Sequence, residues 1–415
     1  MAIKLPIAIS ISPNTESDDV WRALSVMLTP WSWKNGESLK TVTDMFKKLL
    51  NVDRVYLFNS GRSALFAVLK SFDIGKDCEV LLQAFTCVAV PEAILWVGAK
   101  PIFVDIDESL NIDPKLLVSH INRKTKAIIV QHTFGIPAKI NMIKKIAQKY
   151  NLVLIEDCAH SLGVKVNNKY TGTLGDASIF SFGRDKVISS VFGGMAVISS
   201  KFKVQSSKLK KIHENLPFPS YFWILQQLFH PVAFFFIMPF YNLAIGKLAI
   251  IILQKLKLLS KPVYKEELTG VKPTVFPQKY PNALAFLLIG QLAKLDTYNR
   301  KRMQMANYYC RAFKNLRGIM LPKINDNAIY LRFNILIEKA EKIRLLAKNK
   351  GIFLGNWYHN VIDPKGVKLG KIGYKKGMCP KSERLAKMSV NLPTYPRLSF
   401  SEADKVISII SHYAH

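Results

Sequence analysis

Residues 152–200, LVLIEDCAHSLGVKVNNKYTGTLGDASIFSFGRDKVISSVFGGMAVISS, read as three short buried strands joined by turns. Leu152–Ile155 is an unbroken apolar run that ends on Glu156 and Asp157. Ala177–Phe182 is a second run, followed at once by Gly183, Arg184, Asp185 and Lys186, and Gly194–Ile198 is a third. Apolar runs of this length, bounded by Gly and Asp, suit the interior of an α/β sheet covered on both faces. Open α/β sheets place their ligands at the carboxyl ends of the strands. Two of these strands deliver a charge there, the carboxylate of Asp157 and the amine of Lys186.

An aspartate and a lysine at neighbouring strand ends match the needs of a pyridoxal 5'-phosphate site. The lysine attaches the cofactor through its amine, and the aspartate keeps the pyridine nitrogen protonated so that the ring accepts electrons. Spacing alone leaves a surface ion pair open as the alternative, since 59 of the residues are Lys or Arg.

The longer pattern narrows the choice. The run E-D-C-A-H-S-L-G, then G-D-A-S-I-F-S-F-x-x-x-K, then G-G-M resembles the DegT/DnrJ-type sugar aminotransferases, which are fold-type I pyridoxal-phosphate enzymes. The resemblance implies that Lys186 carries the cofactor, Asp157 faces the ring nitrogen, Ser181 helps bind the phosphate and His160 lies near the ring oxygen. It extends to Asn59-Ser60-Gly61-Arg62-Ser63-Ala64-Leu65. There a strand, a Gly turn and a helix start would free backbone N–H groups for the phosphate. Gly61, Arg62 and Ser63 are therefore candidate cofactor contacts, with Arg62 standing where the family usually has Thr. A plain helix cap is the simpler reading of that turn taken alone.

Three departures from the family pattern stand out. Cys87 occupies the position where the family stacks an aromatic ring on the cofactor. Val191-Phe192 replaces a Gly and an acid ahead of Gly193-Gly194, and Pro277-Gln278-Lys279 replaces a segment that reaches across the family's dimer. His132, at the end of the strand Ala127–Gln131, could face the cofactor or be structural.

The 415 residues carry a net charge of +30 and a mean hydropathy of +0.12. That basicity favours an anionic partner such as a membrane surface or a phosphorylated metabolite. Without a zinc-finger or RNA-binding signature, nucleic acid is not expected. Five cysteines with no C-x-x-C spacing argue for a reducing compartment and against a disulfide frame or metal site. The opening residues lack an adequate signal-peptide core, so a cytoplasmic protein is expected.

Alternating strands and helices across 51–204 imply a mostly parallel sheet flanked by helices. This would form the large cofactor domain, after an N-terminal arm at 1–50. An apolar, basic-flanked insertion at 205–270, an interdomain helix within 271–310 and a small C-terminal α+β domain at 311–415 complete the expected α/β chain. Within that last part, Trp357, Tyr358 and His359 are candidate substrate contacts.

The insertion is the least expected element. From Tyr221 to Gly246 no charged residue occurs in 26 positions, long enough for a membrane span. Its flanks must build one catalytic body, so a single crossing is ruled out. The 38 residues 221–258 contain Pro231 and Pro239, and a re-entrant hairpin or in-plane helices fit them better than two full crossings. The competing reading is an apolar dimer interface or additional core.

These readings imply a pyridoxal-phosphate-dependent aminotransferase, a homodimer at the inner face of the cytoplasmic membrane. It would move an amino group, glutamate being the expected donor, to a keto sugar on a nucleotide or lipid, for amino-sugar or surface-polysaccharide synthesis. The alternatives are a membrane-bound regulatory module of the same fold and a sugar dehydratase. The family's dehydratases replace the lysine by histidine, so Lys186 counts against the latter.

Overall fold

The computed structural model describes residues 5–243 and 245–413. The first four residues of the expected arm and Ala244 of the insertion lie outside them. Seven strands form the main sheet: β1 (Tyr56–Phe58), β2 (Glu79–Gln83), β3 (Lys100–Val104), β4 (Thr125–Gln131), β5 (Val153–Asp157), β6 (Ala177–Ser181) and β7 (Gly194–Ile198). Their spatial order is β1-β7-β6-β5-β4-β2-β3. Only β7 runs antiparallel, pairing Gly194 with Ser181 on one side and with Phe58 on the other. All five residues of β7 and all five of β2 are buried, as expected of strands covered on both faces.

Because β5 and β6 are parallel neighbours, with Asp157 opposite Ile179, their carboxyl ends open at the same place. Asp157 closes β5, whereas Lys186 lies five residues past β6 in the loop that turns at Gly183. The short helix that follows β2 begins at Ala89, with Pro91 inside its first turn where a missing N–H costs nothing.

The expected arm holds two helices, α1 (Ser17–Met27) and α2 (Glu37–Leu50). On α2, Val42, Phe46 and Leu50 recur every fourth residue and are buried, and Phe46 stacks on Phe182 at 5.2 Å. Helix α3 (Gly61–Ser71) is capped by Ser60, whose hydroxyl accepts from the Ser63 N–H at 3.1 Å.

The apolar segment folds as α4 (Tyr221–Ile237), a tight turn at Met238–Leu243, and α5 (Ile245–Lys255). Helix α4 packs against α1 and against α6 (Asn282–Ala293). Its Trp223, Ile224, Leu228 and Val232 belong to the same core cluster as Phe182, Val187 and Phe192. The inner face of the segment is thus part of the same core, the additional core that was one of the open readings of 221–258. Its outer face is different: Phe235, Phe236, Leu243, Leu248 and Ile251 are exposed. Tyr221–Leu243 is long and apolar enough to cross a bilayer, but close to half of it is buried within the fold.

The expected single interdomain helix is broken at Lys294 into α6 and α7 (Leu295–Phe313). The break lets the Lys294 amine reach the carboxylates at the start of α1, Glu16 at 2.9 Å and also Asp18. Beyond it, β8 (Ile319–Met320), β9 (Phe333–Ile337) and β10 (Ser389–Leu392) make an antiparallel sheet. Tyr309, Phe333, Ile335, Val390 and Val406 form a separate core there.

Candidate active site

A cavity of about 530 Å³ opens at the carboxyl ends of β5 and β6. Lys186, Asp157, His160, Ser181, Gly61, Arg62 and Cys87 all line it, as do Trp357 and Tyr358 of the C-terminal part. Two candidates lie elsewhere. The Ser63 hydroxyl turns away to donate to Asn59 Oδ1 at 2.7 Å, completing the helix cap. His359 meets Arg344 through its ring, outside the cavity lining.

The loop that carries Lys186 is pinned from behind. Asn14 donates to the carbonyls of Lys186, at 2.7 Å, and Val187, and the fully buried Arg302 donates to Val187 at 2.7 Å. In front, the Lys186 amine lies 3.0 Å from Nε2 of His160. Burial pushes the His160 imidazole well below its ordinary value, and the positive charges of Lys186 and Arg332 push the same way. The Phe134 N–H donates to His160 Nδ1 at 3.3 Å, so the neutral ring carries its proton on Nε2. That N–H faces the Lys186 amine, whose lone pair it can meet once the amine is uncharged. Burial also lowers the Lys186 value, which favours the same nucleophilic form.

Asp157 is buried, and its Oδ1 accepts from the Ala159 N–H at 3.0 Å. Burial raises its carboxyl value, while the Lys186 charge opposes that shift. A cationic ring nitrogen beside it would pull the value down and restore the ionised form. At the other end, a Cβ on Gly61 would come within 3.1 Å of Ser181 Cβ, so the start of α3 sits directly against the end of β6. The leading N–H groups of a helix have no partner within it. Those of Gly61 and Arg62, with the Ser181 hydroxyl, make a donor set suited to a phosphate. Amine, acid and phosphate cradle thus surround one cavity, and these residues fit pyridoxal phosphate.

Arg62 itself is otherwise engaged. Its guanidinium pairs with the buried carboxylate of Glu267 and donates to the Pro262 carbonyl at 2.9 Å. Its side chain therefore ties α3 to the chain leaving the insertion, and the phosphate role falls to its backbone. Cys87 lies on a two-residue strand beside Ile362–Asp363, its thiol raised by burial, with no ring at that position. His132 is structural: it is buried, 3.2 Å from Glu156 Oε2, and accepts from the Ala138 N–H. Glu156 in turn takes N–H bonds from Gly172, Leu174 and Gly175.

Several lining residues carried no sequence signal. Arg332 is 2 % exposed, donates to Asp185 at 2.7 Å and lies 3.7 Å over the Trp357 ring. Arg184 donates to Ser260 Oγ at 2.6 Å, and Ser260 to Gln227 Oε1 at 2.7 Å, joining the lysine loop to α4. His230 of α4 meets Ser12 at 2.7 Å. Asp363, raised to about 7 by burial, also lines the cavity. All five cysteines are free thiols.

Comparison with known proteins agrees with this arrangement. Residues 14–213 and 260–411 match the DegT/DnrJ/EryC1/StrS aminotransferase family, and the gap between the two stretches falls on the apolar segment. The chain is 26 % identical over 360 residues to a pleiotropic regulatory protein of Geobacillus stearothermophilus, covering 85 % of this chain and 83 % of the relative. It is 27 % identical over 359 residues to the dTDP-3-amino-3,6-dideoxy-alpha-D-galactopyranose transaminase of Aneurinibacillus thermoaerophilus, covering 86 % and 84 %. Its fold resembles that of PseC, an aminotransferase of pseudoaminic acid biosynthesis from Helicobacter pylori. The TM-score is 0.75 with 20 % identity, over 98 % of each chain. The fold is that of the type I pyridoxal-phosphate enzymes, and the protein belongs to the DegT/DnrJ/EryC1/StrS family of pyridoxal-phosphate-dependent aminotransferases.

Proposed function

We propose that this aminotransferase acts on a keto sugar held on a phosphate-bearing carrier, with glutamate as amino donor, and yields an amino sugar for a surface polysaccharide. The observation that carries the reading is the convergence of Lys186, His160 and Asp157 on one cavity roomy enough for cofactor and sugar together. Sugar specificity draws support from the relative named as a dTDP-amino-sugar transaminase.

When bound, pyridoxal phosphate supplies an aldehyde that carries the amino group and a ring that accepts electrons. The chain supplies the rest. The Lys186 amine, pressed by burial toward its uncharged form, is the attachment point and, once released, takes the proton from the donor's reacting carbon and later returns one to the acceptor. His160, neutral, offers its Nε2–H to whatever lone pair stands beside it. Asp157 holds a proton on the ring nitrogen. Arg332, planar and already stacked on Trp357, is placed to receive a carboxylate of the donor in a two-pronged bond. Tyr358 and Trp357 close the sugar side of the cavity.

The protein is further read as a homodimer, a state suited to sites that family members build between subunits. Its location is read as the cytoplasmic membrane surface, supported by the exposed apolar face of α4–α5 and its lysines. Borohydride reduction of the cofactor-loaded protein followed by peptide mass analysis tests the core of the reading. The label is expected on Lys186. Lys186→Ala is expected to lose both the label and the glutamate-driven change in cofactor absorbance. A label elsewhere, or glutamate turnover unaffected in that variant, would overturn the assignment.

A further inference from the structure

The same segment that interrupts the family match also forms part of the active-site wall. His230 and Phe234 of α4, Tyr241 of the turn, and Ile250 and Gln254 of α5 line the cavity that holds Lys186 and Asp157. On the other side of the same elements, Phe236, Leu243, Leu248, Ile252 and Leu256 are each at least 46 % exposed. An inner wall that includes Phe234, Tyr241 and Ile250 and an apolar outer face therefore share one short stretch of chain. No acidic residue occurs between Glu214 and Glu266, while Lys247, Lys255, Lys257, Lys261 and Lys265 do. A surface that is apolar, basic and free of acid is complementary to anionic lipid.

We propose that the sugar acceptor is carried on a lipid phosphate, whose chain lies along Phe234, Tyr241 and Ile250 and leaves the cavity toward a bilayer contacted by the outer face of α4–α5. This deepens the sugar-aminotransferase reading and rests on it. A soluble nucleotide carrier would need no exposed apolar face beside the cavity. A lipid carrier needs both, because its hydrocarbon must pass from the bilayer to the reacting sugar without crossing water. Within the cavity Arg184 and Lys365 offer positive charge for the phosphate.

The test uses the full chain loaded with cofactor. Farnesyl diphosphate and UDP are titrated separately by calorimetry, and flotation is measured on phosphatidylcholine vesicles with and without phosphatidylglycerol. Farnesyl diphosphate is expected to bind at least about tenfold more tightly than UDP. Ile250→Asp should weaken farnesyl diphosphate binding by about tenfold or more, and Ile250→Leu should not. The outer-face variant Ile252→Glu should abolish flotation on anionic vesicles while farnesyl diphosphate still binds, with circular dichroism matching the parent in each variant. The proposal is overturned if UDP binds more tightly, if farnesyl diphosphate does not bind, or if Ile252→Glu splits a dimer and the parent ignores vesicles. In those cases a borohydride label retained on Lys186 leaves the aminotransferase reading standing and removes only the lipid carrier. A label lost from Lys186 would remove that reading instead.

Discussion

The Lys186 amine and the His160 imidazole meet at 3.0 Å with both groups pressed by burial toward their uncharged forms. Each supports the other, since Nδ1 is already occupied as an acceptor and leaves Nε2–H to face the amine. His160→Leu is expected to remove that donor while keeping the cavity closed to water. Cofactor attachment should then need a higher pH, and turnover should fall by about 10–100-fold. His160→Gln, which can still present an N–H, should lose less. A pH titration of cofactor absorbance separates the two.

Arg332 is buried between Asp185 and the Trp357 ring. Arg332→Lys keeps the charge but loses the planar fork and its stacking, so it is not a conservative change. If the guanidinium receives the donor carboxylate, KM for glutamate should rise by about 10–100-fold, the worth of a charged hydrogen bond. The dissociation of cofactor should change little. Steady-state kinetics with varied glutamate read this out.

Glu267 accepts from Arg62 and from the Tyr264 N–H at 2.6 Å, with its side chain fully buried. Breaking one partner of such a pair costs about 3–5 kcal/mol because a buried charge is left behind. Glu267→Ala should therefore lower the thermal midpoint by several degrees. It should also loosen cofactor binding, since Arg62 lies in the first turn of the helix proposed to cradle the phosphate. Thermal unfolding with and without added pyridoxal phosphate measures both effects.

Glu92 is buried on the helix Ala89–Trp96 with neither carboxylate oxygen hydrogen-bonded, and burial lifts its value from 4.5 to about 8. Between those two values the folded chain keeps a proton that the unfolded chain has released. Stability must therefore fall as pH rises through that window, by roughly 1.4 kcal/mol per pH unit at the steepest. Glu92→Gln should leave the midpoint nearly unchanged at about pH 5 and raise it at about pH 8. Paired melts at the two pH values check the sign.

Much of the site could be read from the chain because its parts are local. Asp157, His160, Ser181 and Lys186 lie within 30 residues, at or just past the carboxyl ends of two adjacent parallel strands whose apolar runs and bounding glycines announce them. Arg332 and Arg184 could not be singled out, since the chain holds 59 basic residues and only folding shows which ones lose contact with water. The insertion was legible in composition and ambiguous in orientation. A helix such as α4, apolar on every side, carries no stripe to say which face meets the core, so Trp223 and Phe236 look alike until the fold parts them. Ser63 and His359 were misplaced because neighbours of a functional residue point elsewhere on a turn or loop.

The bridge from Arg184 through Ser260 to Gln227, with the separate contact of His230 to Ser12, has a mechanical meaning. Lifting α4 out into hydrocarbon would strand a glutamine and a histidine where nothing can replace their partners, so the helix is moored. Whatever lies beyond its far side can be touched only to a shallow depth, and pulling on that anchorage would be felt at the lysine loop.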